Sequence, residues 1–438
     1  MEIESEIGPT GHPRCEILCS HVQLPCVTAD ERRRAHAGGI SRRSFLKSVA
    51  SLAAAVGSFP SSLLFGGCSG DSADSKYDPS GYLFPLTKGP LKDNGATPWY
   101  ATLFLGTPSQ TMTVMMDTGT ANTWVTSSFC TTEACSTKQY KYDLTLSTTH
   151  NKVPGATWQH NDLGAWGEFE SLSGKDYMRF SDPARGGIDL WIKFLSAILK
   201  DASGSTNWKD LDMCGGVGFP VIFDSPDDPN NAESLLPLML NQGLISNQLV
   251  SFWIDGDNGG CIVGGTDPSR YDSTTLNELP LTSVADNLNL WTVKLEQIQR
   301  NSTPLLDRPV NLALDTGSSR FKGSPALIEY LIDQITTKPD GEKLPTTFSD
   351  PSLVQEFPYL TLEINGHRYT LQPEDYIWKV ENSGLFSLQF HSLDLGNENT
   401  ILVGSVFLDH VYPVFQYVAD PMAPYGHKGS RVYLYDRP

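Results

Sequence analysis

Two six-residue runs carry the residues best suited to do chemistry in this chain: Met115-Met116-Asp117-Thr118-Gly119-Thr120 and Ala313-Leu314-Asp315-Thr316-Gly317-Ser318. Each places an aspartate after apolar residues and follows it with threonine, glycine and a second hydroxyl residue. The two aspartates stand 198 positions apart. A single Asp-Thr-Gly is an ordinary turn sequence. The same run written twice, half a chain apart, predicts a duplicated lobe that brings two carboxylates together. Like charges a few ångströms apart repel, so one pKa falls and the other rises. The pair then holds one proton and titrates as a unit. Its ionised member can take a proton from water while its protonated member donates to a carbonyl. The glycine after each threonine removes a side chain where the backbone turns tightly. Thr118 and Thr316 can hold the two turns in register through their hydroxyls.

The elements that must carry these loops are strands. From Trp99 onward, short β-branched and aromatic runs are cut by Gly, Pro, Asn and Asp, which is an all-β pattern. Alternation is clear in residues 111–115 and 361–364. Helical spacing is confined to residues 232–242 and 325–336, where Leu327, Ile328, Leu331, Ile332 and Ile335 recur. The Pro- and Asp-rich stretch 224–231 reads as a surface loop. Gly216-Val217-Gly218 and Leu402-Val403-Gly404 repeat an apolar step late in each half.

Further along the chain the motifs fall into a known order. Residues 100–108 look like a first hairpin, and residues 114–125 carry a complete first loop with Asn122 and Trp124. Residues 241–245, Gly264-Gly265-Thr266-Asp267, residues 357–366 and residues 401–408 complete the series. In these features the chain resembles the pepsin-like aspartic proteases over residues 97–438. Those enzymes are themselves the standard case of a carboxylate pair sharing one proton. The resemblance implies an all-β, bilobal pepsin-like fold, two pseudo-symmetric β lobes with a cleft between them. It implies catalysis by Asp117 and Asp315 and loop support by Thr118, Gly119, Thr120, Thr316, Gly317 and Ser318. Thr120 and Ser318 are expected to hydrogen-bond the outer carboxylate oxygens. It also implies a disulfide between Cys130 and Cys135, no metal and no cofactor. The substrate class is an extended polypeptide, bound by main-chain hydrogen bonds and side-chain pockets.

The chain departs from the family in three places. The flap, where the family carries a Tyr about forty residues after the first Asp, reads here as residues 158–167 and contains no Tyr. Trp158 or Trp166 would cover the dyad instead, beside Trp124, or both are packing residues and the flap works differently. Ser405 stands where the most acid-adapted members carry Asp, so an acidic but less extreme optimum is expected. Residues 68–97 hold only Lys76, Lys88 and Lys92 as cations, too few to resemble an inhibitory prosegment.

Acidic residues outnumber basic ones 50 to 32, a formal charge of −18. That argues against nucleic acid or an anionic membrane as the main ligand. The 438 residues suffice for two lobes and an export segment. Ser41-Arg42-Arg43-Ser44-Phe45-Leu46-Lys47 closely matches the bacterial twin-arginine signal, an address rather than an anchor. The Ala-rich stretch behind it is too short and too weakly apolar for a membrane span. Residues 64–68 resemble a lipobox whose Cys68 would be lipidated and tether the protein to a membrane face. Cys214 and Cys261 either pair or remain buried thiols.

The expected organisation is an uncharacterised extension at 1–40, the signal at 41–68, a tether and N-terminal strand at 69–96, and lobes at 97–270 and 271–438. The expected function is endoproteolysis at acidic pH by an exported monomer, periplasmic or held at the membrane or cell surface. The alternatives are a catalytically silent relative that binds or inhibits, and a carbohydrate- or surface-binding β-protein. The second leaves the duplicated motif unexplained.

Overall fold

The computed structural model describes residues 81–89, 91–92, 99–163, 167–182, 186–200, 207–282, 290–418 and 430–438. The twin-arginine run, Cys68 and Trp166 lie outside these residues. The predicted hairpin forms from Trp99–Leu105 and Gln110–Asp117, antiparallel, with Tyr100 opposite Met115. Its alternation buries Leu103, Leu105, Met112 and Val114 on one face. Each such side chain contributes about 1.5–3 kcal/mol by leaving water.

The first half of the chain builds most of a fourteen-stranded sheet. Gly215–Gly218 lies beside Gln110–Asp117 in parallel, and Trp124–Thr126 returns antiparallel on its other side. The long strands Gly186–Lys200 and Glu168–Asp182 continue the sheet outward. In the other direction Tyr82–Lys88 pairs with both Trp99–Leu105 and Asn258–Val263. Leu249–Asp255 comes next, then Val411–Gln416 and Arg431–Asp436 from the far end of the chain. The two halves predicted as lobes are thus joined by a shared run of antiparallel strands.

The second half repeats the central arrangement in a five-stranded sheet. Val310–Leu314 runs parallel to Thr400–Val403, and Phe321–Gly323 returns antiparallel on the other side. The helix Pro325–Thr336 forms where the spacing predicts, with proline in its first turn, and buries Ile328, Leu331 and Ile335. The late hairpin Leu360–Ile364 to His367–Leu371 closes through Asn365 and Gly366 at φ 51° and 76°, the left-handed pair a tight hairpin turn requires. The loop at 224–231 carries no strand or helix beyond turns.

Candidate active site

Asp117 ends the strand Gln110–Asp117, and Asp315 directly follows the strand Val310–Leu314. In each lobe the chain must then turn around the end of a neighbouring strand before it can return. The turn is held by the aspartate itself: Gly119 N–H donates to Asp117 Oδ1 at 2.7 Å, and Gly317 N–H donates to Asp315 Oδ1 at 2.9 Å.

The two turns meet through their threonines in a reciprocal set of buried bonds. Thr118 N–H donates to Thr316 Oγ1, and Thr316 N–H donates to Thr118 Oγ1, each at 3.0 Å. Thr118 Oγ1 donates to Leu314 O at 3.1 Å, and Thr316 Oγ1 to Met116 O at 2.7 Å. Each hydroxyl therefore accepts from and donates to the opposite lobe. The glycines allow the approach. A Cβ on Gly119 would sit 2.6 Å from Asp315 Oδ1, and one on Gly317 would collide with the Asp117 carboxyl group. Both aspartates consequently lie against the opposite turn and against each other.

Burial raises the pKa of both carboxyls, and the neighbouring Asp315 charge and hydrogen bond push Asp117 up further, well above the ordinary range. Burial raises Asp315 as well, while its bond with Asp117, the Lys322 charge and the Gly317 N–H restrain it. This coupling favours a single proton shared by the pair.

Lys322 was not singled out in the sequence. It lies in Phe321–Gly323, opposite Leu402 on one side and His391 on the other. Burial pushes its pKa down to about 8, against the pull of Asp315 and Asp117. Arg320 is nearby, its guanidinium Nε donating to Gln389 Oε1 at 3.1 Å. The available signal was local: Arg320 and Lys322 follow Asp315 at the spacing at which Asn122 and Trp124 follow Asp117.

The remaining expected residues fall as follows. Cys130 and Cys135 form the disulfide. Cys214 and Cys261 are buried free thiols, which closes the alternative that they pair. The Thr120 hydroxyl accepts from Asn122 N–H at 3.3 Å, and Ser318 Oγ is buried without a partner among the described residues. Neither makes the expected bond to a carboxylate among the described residues; the glycine N–H groups hold the Oδ1 atoms. Ser405 is buried and donates to Ser318 O at 3.3 Å, so it supports the turn rather than the dyad directly. With Thr316 and Asp409 it lines a small cavity. Burial raises the Asp409 pKa, while Lys88 Nζ at 3.1 Å and Trp99 Nε1 at 3.0 Å counteract it. Lys92 pairs with Asp212 at 2.7 Å, so both described lysines before Trp99 pair with acids other than the dyad.

The stretch expected as the flap forms a hairpin: Gln159–Asp162 pairs with Glu168–Ser171 as part of the long strand Glu168–Asp182. Trp158 precedes it and is 36% exposed. Trp124 is fully enclosed, stacked on Phe169 of the hairpin at 5.1 Å, and edge-on to Trp208 at 5.5 Å. It therefore packs behind the catalytic turn instead of lining an open wall. Its Nε1–H has no partner among the described residues. His160, which sequence reasoning missed, sits on the hairpin within 3.8 Å of Glu168 and 3.6 Å of Glu170.

Residues 98–422 match the sequence profile of the family described as Asp, eukaryotic aspartyl protease. Pepsin A of Bos taurus is 25% identical over 338 residues, spanning 75% of this chain and 84% of its own length. Cathepsin E of Mus musculus is 28% identical, spanning 72% and 77%. Cathepsin D of Dictyostelium discoideum is 24% identical, spanning 75% and 83%. With two matched turns, two facing aspartates and a profile that covers most of its length, this chain belongs to the aspartyl protease family.

Proposed function

We propose that this protein is an aspartic endopeptidase that cleaves extended polypeptides at acidic pH. The observation that carries the reading is the reciprocal Thr118–Thr316 set, which holds Asp117 and Asp315 in mutual contact. One water between the carboxyls would lose a proton to the ionised member as its oxygen attacks the scissile carbonyl carbon. The protonated member donates to the carbonyl oxygen. Proton return to the amide nitrogen then releases the amine, with no covalent enzyme intermediate. The dyad needs one proton, so activity falls once both carboxyls ionise towards neutral pH. An optimum above pH 3 fits the absence of a carboxylate at Ser405. The test is digestion of an unstructured protein across acid pH. Asp117→Asn should lose at least about a thousandfold in kcat/KM while binding a statine-type inhibitor less tightly. Full activity in that variant would refute the mechanism.

A second reading, a silent relative that binds peptides without cleaving them, is favoured by the flap. It lacks a Tyr, and among the described residues Trp124 Nε1 has no partner. Inhibitor binding without any digestion would select it. We also propose export by the twin-arginine route, with Cys68 lipidated and the protease a monomer. Folded cargo would be idle at cytoplasmic pH because both aspartates ionise there. Replacing Arg42 and Arg43 by lysine should retain the protein in the cytoplasm, and Cys68→Ser should release it from membranes.

A further inference from the structure

The second half of the chain holds a cavity of about 360 Å³ to which neither catalytic turn contributes a residue. Its size falls within the range of small-ligand sites, about 300–1,000 Å³. Segments far apart in sequence close around the end of the helix Pro325–Thr336, which contributes Ile335. Arg300 and Asn301 come from the hairpin that begins with Gln297–Arg300, and Lys338 and Pro339 follow the helix. Residues 356–359 come from the end of the 3-10 helix Pro351–Glu356 and the chain after it.

The turn at its rim is strained. Arg300 pairs with Thr303, so Asn301 and Ser302 alone make the reversal, at φ 44° and 70°. Asn365 and Gly366 make the same reversal between Ile364 and His367, at φ 51° and 76°. Glycine takes this left-handed conformation freely, and serine does not. The Ser302 hydroxyl supplies a reason for its presence, because it lies 3.0 Å from the Tyr359 hydroxyl. Asn301 completes the grip: its N–H donates to Tyr359 O at 3.1 Å, and its Oδ1 accepts from Tyr359 N–H at 3.2 Å. Tyr359 is thereby fixed as a wall of the cavity while 37% exposed. Pro339, Phe357 and Pro358 extend the apolar lining. Three charged side chains share that lining, Arg300, Lys338 and Glu356. Lys338 bonds both Glu356 and Glu342, so the charges of Lys338 and Glu356 are matched. Arg300 is different. Its Nη2 donates to Thr337 O, and among the described residues no carboxylate pairs with it and its Nε and Nη1 carry no bond. A guanidinium grips a carboxylate through two such donors at once.

We infer that this cavity is a second peptide site, which takes a carboxylate on Arg300 and the neighbouring apolar side chain against Tyr359. Any cut peptide presents that chemistry at its C-terminal end, and a Glu beside an apolar residue presents it within a chain. The inference goes beyond the endopeptidase reading and stands without it, because binding here needs no turnover.

The probe is a short unstructured peptide ending in leucine, labelled for fluorescence anisotropy. It is made as the free acid, as the C-terminal amide, and as two amides with Glu or Gln before the leucine. Each is titrated against Asp117→Asn, which removes turnover, with and without a statine-type inhibitor in excess to fill the cleft. The pH is about 6, where peptide carboxyls are ionised. At least one carboxylate form should bind about tenfold tighter than its uncharged counterpart, the size of one charge-assisted hydrogen bond. The form that does so identifies the source of the carboxylate. The advantage should vanish when Arg300→Met is added and persist in part with Arg300→Lys. Tyr359→Ala, at an exposed position, should weaken all four peptides about tenfold and serves if Arg300→Met does not fold. Equal binding within both pairs would overturn the site. Displacement by the inhibitor would put the peptide in the cleft and overturn it as well. A preference that survives both Arg300→Met and Tyr359→Ala would overturn its assignment to this cavity. Digestion by the wild type is scored separately. Digestion without any carboxylate preference in binding removes only this site, and preferential binding without digestion keeps the site and removes the endopeptidase reading.

Discussion

Thr118→Val is the most direct perturbation of the device that joins the two catalytic turns. Valine keeps the shape of threonine and removes only the hydroxyl. In the folded protein that hydroxyl accepts from Thr316 N–H at 3.0 Å and donates to Leu314 O at 3.1 Å, and Thr118 itself is fully buried. Its loss leaves one buried donor and one buried acceptor short of a partner. Each such group costs about 1–3 kcal/mol, so the variant should be less stable by about 2–6 kcal/mol. Thr118→Ser keeps both bonds and gives up one methyl, about 1 kcal/mol. Thr316→Val should mirror the first variant through Thr118 N–H and Met116 O. The double variant should fall short of the summed costs by about 0.5–3 kcal/mol, because both hydroxyls serve one contact. Urea unfolding followed by tryptophan fluorescence measures all four. Because the turns set the spacing of the dyad, kcat should fall about a hundredfold in either valine variant. A Thr118→Val protein within about 0.5 kcal/mol of the wild type, and equally active, would refute the bracing argument.

Gly317→Ala places a methyl group on the Asp117 carboxyl, so activity should fall by more than stability does; unchanged kcat/KM on a neutral peptide would contradict the packing described. Lys322→Met removes a cation that favours the ionised form of both aspartates. Their pKa values should rise, and both limbs of the pH–rate profile on a neutral peptide should move to higher pH. Arg320 and His391 remain as neighbouring basic groups in that variant, and a downward or absent displacement would show that Lys322 does not act on the dyad.

Much of the site was legible because it rests on local residue types repeated in sequence. Asp-Thr-Gly at 117 and 315 announces a pair, and the strands before each motif are readable from alternation. The helix at 325–336 and the Asn-Gly turn at 365–366 also follow from short-range rules. Other features depend on partners distant in sequence. Trp124 reads equally well as a cleft residue, and only the stacking of Phe169 shows that it is enclosed. Thr120 and Ser318 have suitable hydroxyls, but in the folded chain the Thr120 hydroxyl accepts from Asn122 N–H and Ser318 Oγ makes no bond to a carboxylate among the described residues. Cys214 and Cys261 sit in similar Gly-rich strands, and their redox state depends on where those strands end up.

By itself the sequence determined the residue types, the duplication and the strand-forming runs, since these are set by composition and by periodicity along the chain. The tertiary structure decided which groups share an environment. It set Lys322 and His391 side by side although they are far apart in the chain, and it brought the last strands of the second half into the sheet of the first. The physical reason is that hydrogen-bond register and burial are properties of neighbours in space. The charge on Lys322 bears on the dyad only because the fold buries it within electrostatic reach of Asp315 and Asp117.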